Sequence, residues 1–137
     1  MNGNTTTVEV RNLLGEATRL KIDGYRLVTL SGVNTGPDQV EILYHFDKDL
    51  TLVHLRLAAS REAPVPSISP IYPAAFLAEN EIQDLFHIRF HGLVIDYQGT
   101  LFLPREMEST PFCRYDRSET PRPVSPDPQS AKSAGGA

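Results

Sequence analysis

A chain of 137 residues, 40% hydrophobic with a net charge of −4, has the length of one domain and the composition of an ordinary soluble protein. Its acidity and the lack of any Lys/Arg cluster argue against nucleic acid as a partner, and no apolar run approaches a membrane span. One cysteine, Cys113, cannot form an internal disulfide, a zinc knuckle or an iron–sulfur centre.

The first seven residues lack the basic start and apolar core of a secretory signal, so a cytoplasmic location is the expectation. Residues 8–22 suit an amphipathic helix. Val10, Leu13, Leu14, Ala17 and Lys21 recur at helical spacing, Thr7 stands as its N-cap and Gly24 as its stop, while Gly15 weakens its middle. Tyr25 to Val33 reads as a strand, ended by the turn residues 34–37. Val40 to Phe46 and Leu50 to Leu57 form a hairpin, with Asp47, Lys48 and Asp49 as its connection. Leu43 on the otherwise polar side implies that both faces of this hairpin are partly covered. Residues 63–70 are extended, because a residue before proline is pushed out of the helical region.

Pro73 suits the first turn of a helix that runs to Phe86. Ala75, Ala78, Ile82, Leu85 and Phe86 make its core stripe, with Glu79 and Glu81 on opposite edges. Those two glutamates, roughly 160° apart around the axis, cannot act as a general acid/base pair. Glu81 and Asp84 are neighbours, with Leu77 on the same flank. They form either an ordinary solvated acidic flank or a receptor for a basic residue of another chain. Phe76 lies opposite the stripe with Asn80 and Gln83, where an isolated domain would expose it. Together with Leu77 and the Glu81/Asp84 pair it has the makeup of an interface anchor with a charged rim.

After Phe86 the period becomes two, with Ile88 and Phe90 alternating against His87, Arg89 and His91, and residues 96–100 turn the chain. His87 and His91 have the spacing of a helical metal pair but lie off the helix, which leaves partner contact or solvation. His45 and His54, on the two hairpin strands, are potential near neighbours without a third ligand. No nucleophile elbow and no phosphate-binding glycine loop is present, so no catalytic, cofactor-binding or metal-binding residue is assigned.

Beyond Pro104 the character shifts: six of the eleven prolines fall between 104 and 128. Residues 1–103 hold 8 Lys/Arg against 12 Asp/Glu and residues 104–137 hold 5 against 5, so the folded part carries the acidity. The organisation read from this is a domain over 1–103, an extended arm over 104–120 and a disordered tail over 121–137. Phe112, Cys113 and Tyr115 give the arm grip on a partner. The fold class is α+β: an antiparallel sheet of about three to four strands packed with an N-terminal helix and a central acidic helix.

The central segment resembles the 30 kDa subunit family of complex I, known also as its C subunit. That family's signature runs Pro-Ser, then Pro-Ala-Ala, then Glu-Arg-Glu-x-x-Asp-hydrophobic-Phe-Gly-Ile-x-Phe. Here it appears as Pro66-Ser67, Pro73-Ala74-Ala75, and Glu79 to Asp84 followed by Leu85-Phe86-His87-Ile88-Arg89-Phe90. The likeness covers roughly residues 25–103. Asn80 replaces the family's arginine, His87 replaces its helix-ending glycine, and the following His-Pro-x-x-x-Arg segment is missing. Residues 91–103 and 41–50 look like the branch found in membrane-bound energy-converting nickel–iron hydrogenases, including the carbon-monoxide-induced kind.

The resemblance implies a structural or assembly subunit of the peripheral arm that binds no cofactor and has no active site of its own. Its implied partners are the large nickel–iron hydrogenase subunit and the small iron–sulfur subunit. These would hold the Ni–Fe centre and iron–sulfur clusters and pass electrons from ferredoxin or a similar donor to protons. Attachment to the inner face of the membrane is implied only through the complex. Carried over by position, Phe76, Leu77, Glu79, Asn80, Glu81, Asp84 and His87 are the expected partner interface. A genuine NADH–quinone oxidoreductase subunit and a free-standing ferredoxin-like ligand-binding domain or small enzyme are the alternatives.

Overall fold

The computed structural model describes residues 4–102, and the arm over 104–120, the tail over 121–137 and Cys113 lie outside the described residues. The elements in order are β1 (Asn4–Val8), a 3-10 turn (Val10–Asn12), α1 (Leu13–Ile22), β2 (Arg26–Asn34), β3 (Gln39–Lys48), β4 (Thr51–Ser60), β5 (Val65–Pro66), α2 (Ala75–Phe86) and β6 (Phe90–His91). The fold is α+β, as expected. A four-stranded sheet has the order β1-β4-β3-β2, and β5 and β6 form a small parallel pair. No helix among the described residues is long and apolar enough to cross a membrane.

The N-terminal helix is shorter than its periodicity predicts. Thr7 is not an N-cap but part of β1, which lies parallel to β4 at the sheet edge, with Thr6 opposite Leu55 and Val8 opposite Leu57. The run of β-branched residues before Glu9 favours that strand over a first helical turn. The buried face of α1 is Leu13, Ala17 and Leu20, while Leu14 is exposed. Its end is as expected. Gly24 at φ +88° lets Tyr25 N–H reach Leu20 O at 2.9 Å and Gly24 N–H reach Lys21 O at 3.1 Å, a Schellman stop.

Alternation in β3 puts Val40, Ile42, Tyr44 and Phe46 into the core, opposite Ala59, Leu57, Leu55 and Val53 of β4. The hairpin connection is tighter than the three residues expected. Lys48 pairs with Thr51, leaving only Asp49 and Leu50, both at positive φ (50° and 64°), in the turn. Both helices cover the core face. Phe86 of α2 lies directly over Gly32 of β2, where an added Cβ would come within 2.6 Å of the ring.

Candidate functional site

The site built around α2 starts from its helical spacing. Glu79, Asn80, Gln83 and Asp84 recur at i, i+1, i+4 and i+5, so they share one side of the helix. All four are buried. The covering is the chain itself: residues 67–69 on one flank and residues 90–102 on the other. A buried polar side chain must find partners, and each of these finds them in the backbone of an irregular segment.

Glu79 Oε1 accepts Ile68 N–H at 2.8 Å, and Oε2 accepts the Ser67 hydroxyl. Ser67 Oγ lies 2.7 Å from Ser69 Oγ, which accepts Val94 N–H at 3.1 Å. Burial pushes the Glu79 carboxyl up to about 7, against the opposing pull of the hydrogen bonds from Ser67 and Ile68. Tyr44 on the core face is raised well above the ordinary tyrosine value, first by burial and then by the charge of Glu79.

Asn80 holds the other flank. Its Nδ2 donates to Ile95 O at 2.8 Å and its Oδ1 accepts Tyr97 N–H at 2.9 Å. Gln83 accepts Phe90 N–H at 3.0 Å and donates to Asp96 Oδ1 at 3.1 Å. Asp84 accepts Leu101 N–H at 3.3 Å and Phe102 N–H at 2.6 Å. The polar side of α2 is therefore a ladder of side chains that fixes segment 90–102, which has almost no regular structure of its own.

The seven residues expected at a partner interface thus divide. Glu79, Asn80 and Asp84 are occupied inside this chain's own fold, and Phe76 is half-buried rather than exposed, because segment 93–97 packs over that side. Leu77 is 50% exposed, and Glu81 and His87 also face solvent. Val94 and Ile95, both exposed on the covering segment, add apolar surface to the same molecule. The sequence signal for this internal network is the i, i+1, i+4, i+5 polar set followed by a stretch rich in unpaired backbone groups.

His87 ends the helix in the left-handed conformation (φ 56°, ψ 28°), with its N–H on Gln83 O at 3.1 Å, taking the place of a glycine. Arg61 supports this end. Its Nε donates to Phe86 O at 2.9 Å and its other nitrogens to Pro37 O and Asn34 Oδ1, which sets a cation against the negative helix terminus. His91 lies in β6, apart from the cap. His45 and His54 do meet, with their Nδ1 atoms 2.8 Å apart. Among the described residues no group of three or more His, Cys, Asp or Glu is placed to hold a metal ion.

Against known proteins, the profile of the family described as "Respiratory-chain NADH dehydrogenase, 30 Kd subunit" matches residues 6–120. The NADH-quinone oxidoreductase C subunit of Mesorhizobium japonicum is 30% identical over 96 residues, covering 64% of this chain and 48% of that protein. Its counterpart in Sinorhizobium medicae is 29% identical over the same length and coverage. The chain thus spans about half the length of the curated relatives it matches. Among solved structures, the trypsin-resistant fragment of Nqo5 superposes with a TM-score of 0.57 at 21% identity, covering 64% of this chain and 78% of the fragment. A chain of the membrane-bound sulfane sulfur reductase, an archaeal respiratory membrane complex, gives a TM-score of 0.60 at 21% identity, covering 67% and 59%. At that identity these two likenesses bear on the fold.

Proposed function

The chain belongs to the respiratory-chain NADH dehydrogenase 30 kDa subunit family, and from that premise we propose that it is a docking subunit of a membrane-associated, energy-converting nickel–iron hydrogenase related to complex I. It carries no reaction itself. It presents a rigid surface to the large nickel–iron subunit and the small iron–sulfur subunit, which hold the redox centres. The inner membrane face is reached only through them.

One observation carries this reading: α2 uses its polar residues to brace segment 90–102, which leaves Leu77 and Glu81 as a narrow exposed ridge on a braced support. Leu77 and Glu81 are four residues apart and so adjacent on the helix. An apolar anchor beside a charge, on an element that does not have to order on binding, is the makeup of a specific protein contact. His87 lies at the end of the same helix. The hydrogenase branch is favoured over a quinone reductase by Asn80 and by the segment that replaces His-Pro-x-x-x-Arg. Asn80 is shaped to hold the replacement: it bonds Ile95 O and Tyr97 N–H, both within it.

The second reading, the corresponding subunit of an NADH–quinone oxidoreductase, is favoured by the names of the curated relatives. Mass spectrometry of what co-purifies with the tagged chain from gently solubilised membranes separates the two. A nickel–iron large subunit without a flavin-bearing NADH-oxidising subunit is the expected result. Recovery of the flavin-bearing subunit reverses the preference, and recovery of the chain alone rejects both.

A further inference from the structure

The sheet face turned away from both helices carries at its centre a pair of histidines that docking through α2 does not use. His45 of β3 and His54 of β4 stand directly opposite each other in the register. Their Nδ1 atoms are 2.8 Å apart, and the rings meet edge-on with centroids 4.9 Å apart and planes at 78°. Ser31 Oγ of β2 lies 2.8 Å from His45 Nε2. Both imidazoles are partly exposed, so water reaches them.

Two imidazole nitrogens this close hold one proton between them, one ring donating and the other accepting. A metal ion is the other occupant that such a pair accepts, because neutral imidazole ligates equally well through Nδ1. Metal–nitrogen bonds of about 2.0 Å at right angles place adjacent ligands about 2.8 Å apart, which is the separation already present. A tetrahedral ion would need the nitrogens about 3.3 Å apart, so the spacing favours tetragonal ions over zinc.

Ser31 completes the arrangement. With Nδ1 on the metal, His45 carries its proton on Nε2 and donates it to Ser31 Oγ, the outer contact that fixes a metal-binding histidine in its tautomer. The charged groups of this face are mutually paired, Arg26 with Asp47 at 2.8 Å and Arg56 with Glu41 at 3.3 Å. Thr5 of β1 stands beside His54. Leu43, Leu52 and Arg56 flank the pair two residues along the strands, and with Arg26 and Arg56 both paired neither arginine of this face is a free cation set against an incoming ion.

We propose that His45 and His54 form a two-imidazole site for a divalent ion of tetragonal preference, Cu2+ or Ni2+, with water in the remaining positions. Binding moves the shared proton from between the Nδ1 atoms to the outer ring nitrogen, which for His45 is the Nε2 that faces Ser31 Oγ.

The test uses the full chain carrying His87→Ala and His91→Ala, which removes the other two of its four histidines. With one equivalent of Cu2+, electron spin-echo modulation counts the imidazoles on the metal. Two are expected. His45→Ala and His54→Ala each reduce the count to one and weaken binding at least about tenfold, and Ser31→Ala keeps the count at two while weakening binding about tenfold. A count below two with the pair intact overturns the proposal, as does unchanged affinity in both single variants. The count on the intact pair decides the matter even where a variant does not fold.

Discussion

Glu79 Oε1 accepts the backbone N–H of Ile68 at 2.8 Å, tying the middle of α2 to the bend that follows β5. That contact places a carboxyl in a fully buried position, where its charge is costly. The folded carboxyl is raised to about 7 from the ordinary glutamate range, so between about pH 4.5 and 7 the folded state binds more protons than the unfolded chain. Stability is therefore greatest at the acid end of that window and falls as pH rises through it. The fall is on the order of 3 kcal/mol. Urea unfolding at pH 5 and pH 8 measures it, and Glu79→Gln, which keeps an acceptor for Ile68 and no charge, flattens the profile.

Asn80 makes two hydrogen bonds to the backbone of segment 90–102, at 2.8 and 2.9 Å. Asn80→Ala takes the partner from two part-buried backbone groups, Ile95 O and Tyr97 N–H, and is expected to cost about 1–2 kcal/mol. The loss is local before it is global. Amide exchange at Tyr97 accelerates more than exchange in β3, and equal acceleration at both would show that the segment is not held by this residue.

Gly32 gives Phe86 its seat on the sheet, since an added Cβ would lie 2.6 Å from the ring. Gly32→Ala is expected to destabilise by about 1–3 kcal/mol through overpacking. Adding Phe86→Leu recovers part of that loss, so the double-mutant cycle shows coupling rather than additivity. Calorimetry on the four proteins measures it.

Leu50 occupies the left-handed region at φ 64° and is 95% exposed at the tip of the β3–β4 hairpin. A leucine gains nothing there and carries backbone strain that glycine avoids. Leu50→Gly is expected to stabilise the protein by about 1 kcal/mol, read as a higher urea midpoint with unchanged slope.

Strands β2 to β4, both helices and the stop at residue 87 are legible in the sequence: alternation marks β3, helical spacing marks α2, and a replaced glycine in the family pattern marks the stop. β1 is not, because Thr7 and Val8 have equally good local roles at a helix start, and only the distant β4 edge decides between them. The polar side of α2 escapes for a related reason. Helical spacing groups Glu79, Asn80, Gln83 and Asp84 on one side but does not say what covers it. An acidic flank awaiting a partner and one satisfied by its own chain have the same spacing, and the deciding backbone groups lie up to 18 residues away in sequence. Leu77 and Glu81, on the neighbouring arc, stay outside that internal network.

The central claim, that the Leu77–Glu81 ridge of α2 is where the large subunit docks, is tested most directly by Leu77→Asp combined with Glu81→Lys in the complete complex. Both side chains face solvent, so circular dichroism of the isolated variant is expected to match the parent. The measurement is the amount of large subunit that co-purifies with the tagged chain from solubilised membranes. Loss of at least about nine-tenths of it, with the variant still folded, is the predicted result. Normal recovery of the large subunit with both residues changed contradicts the account.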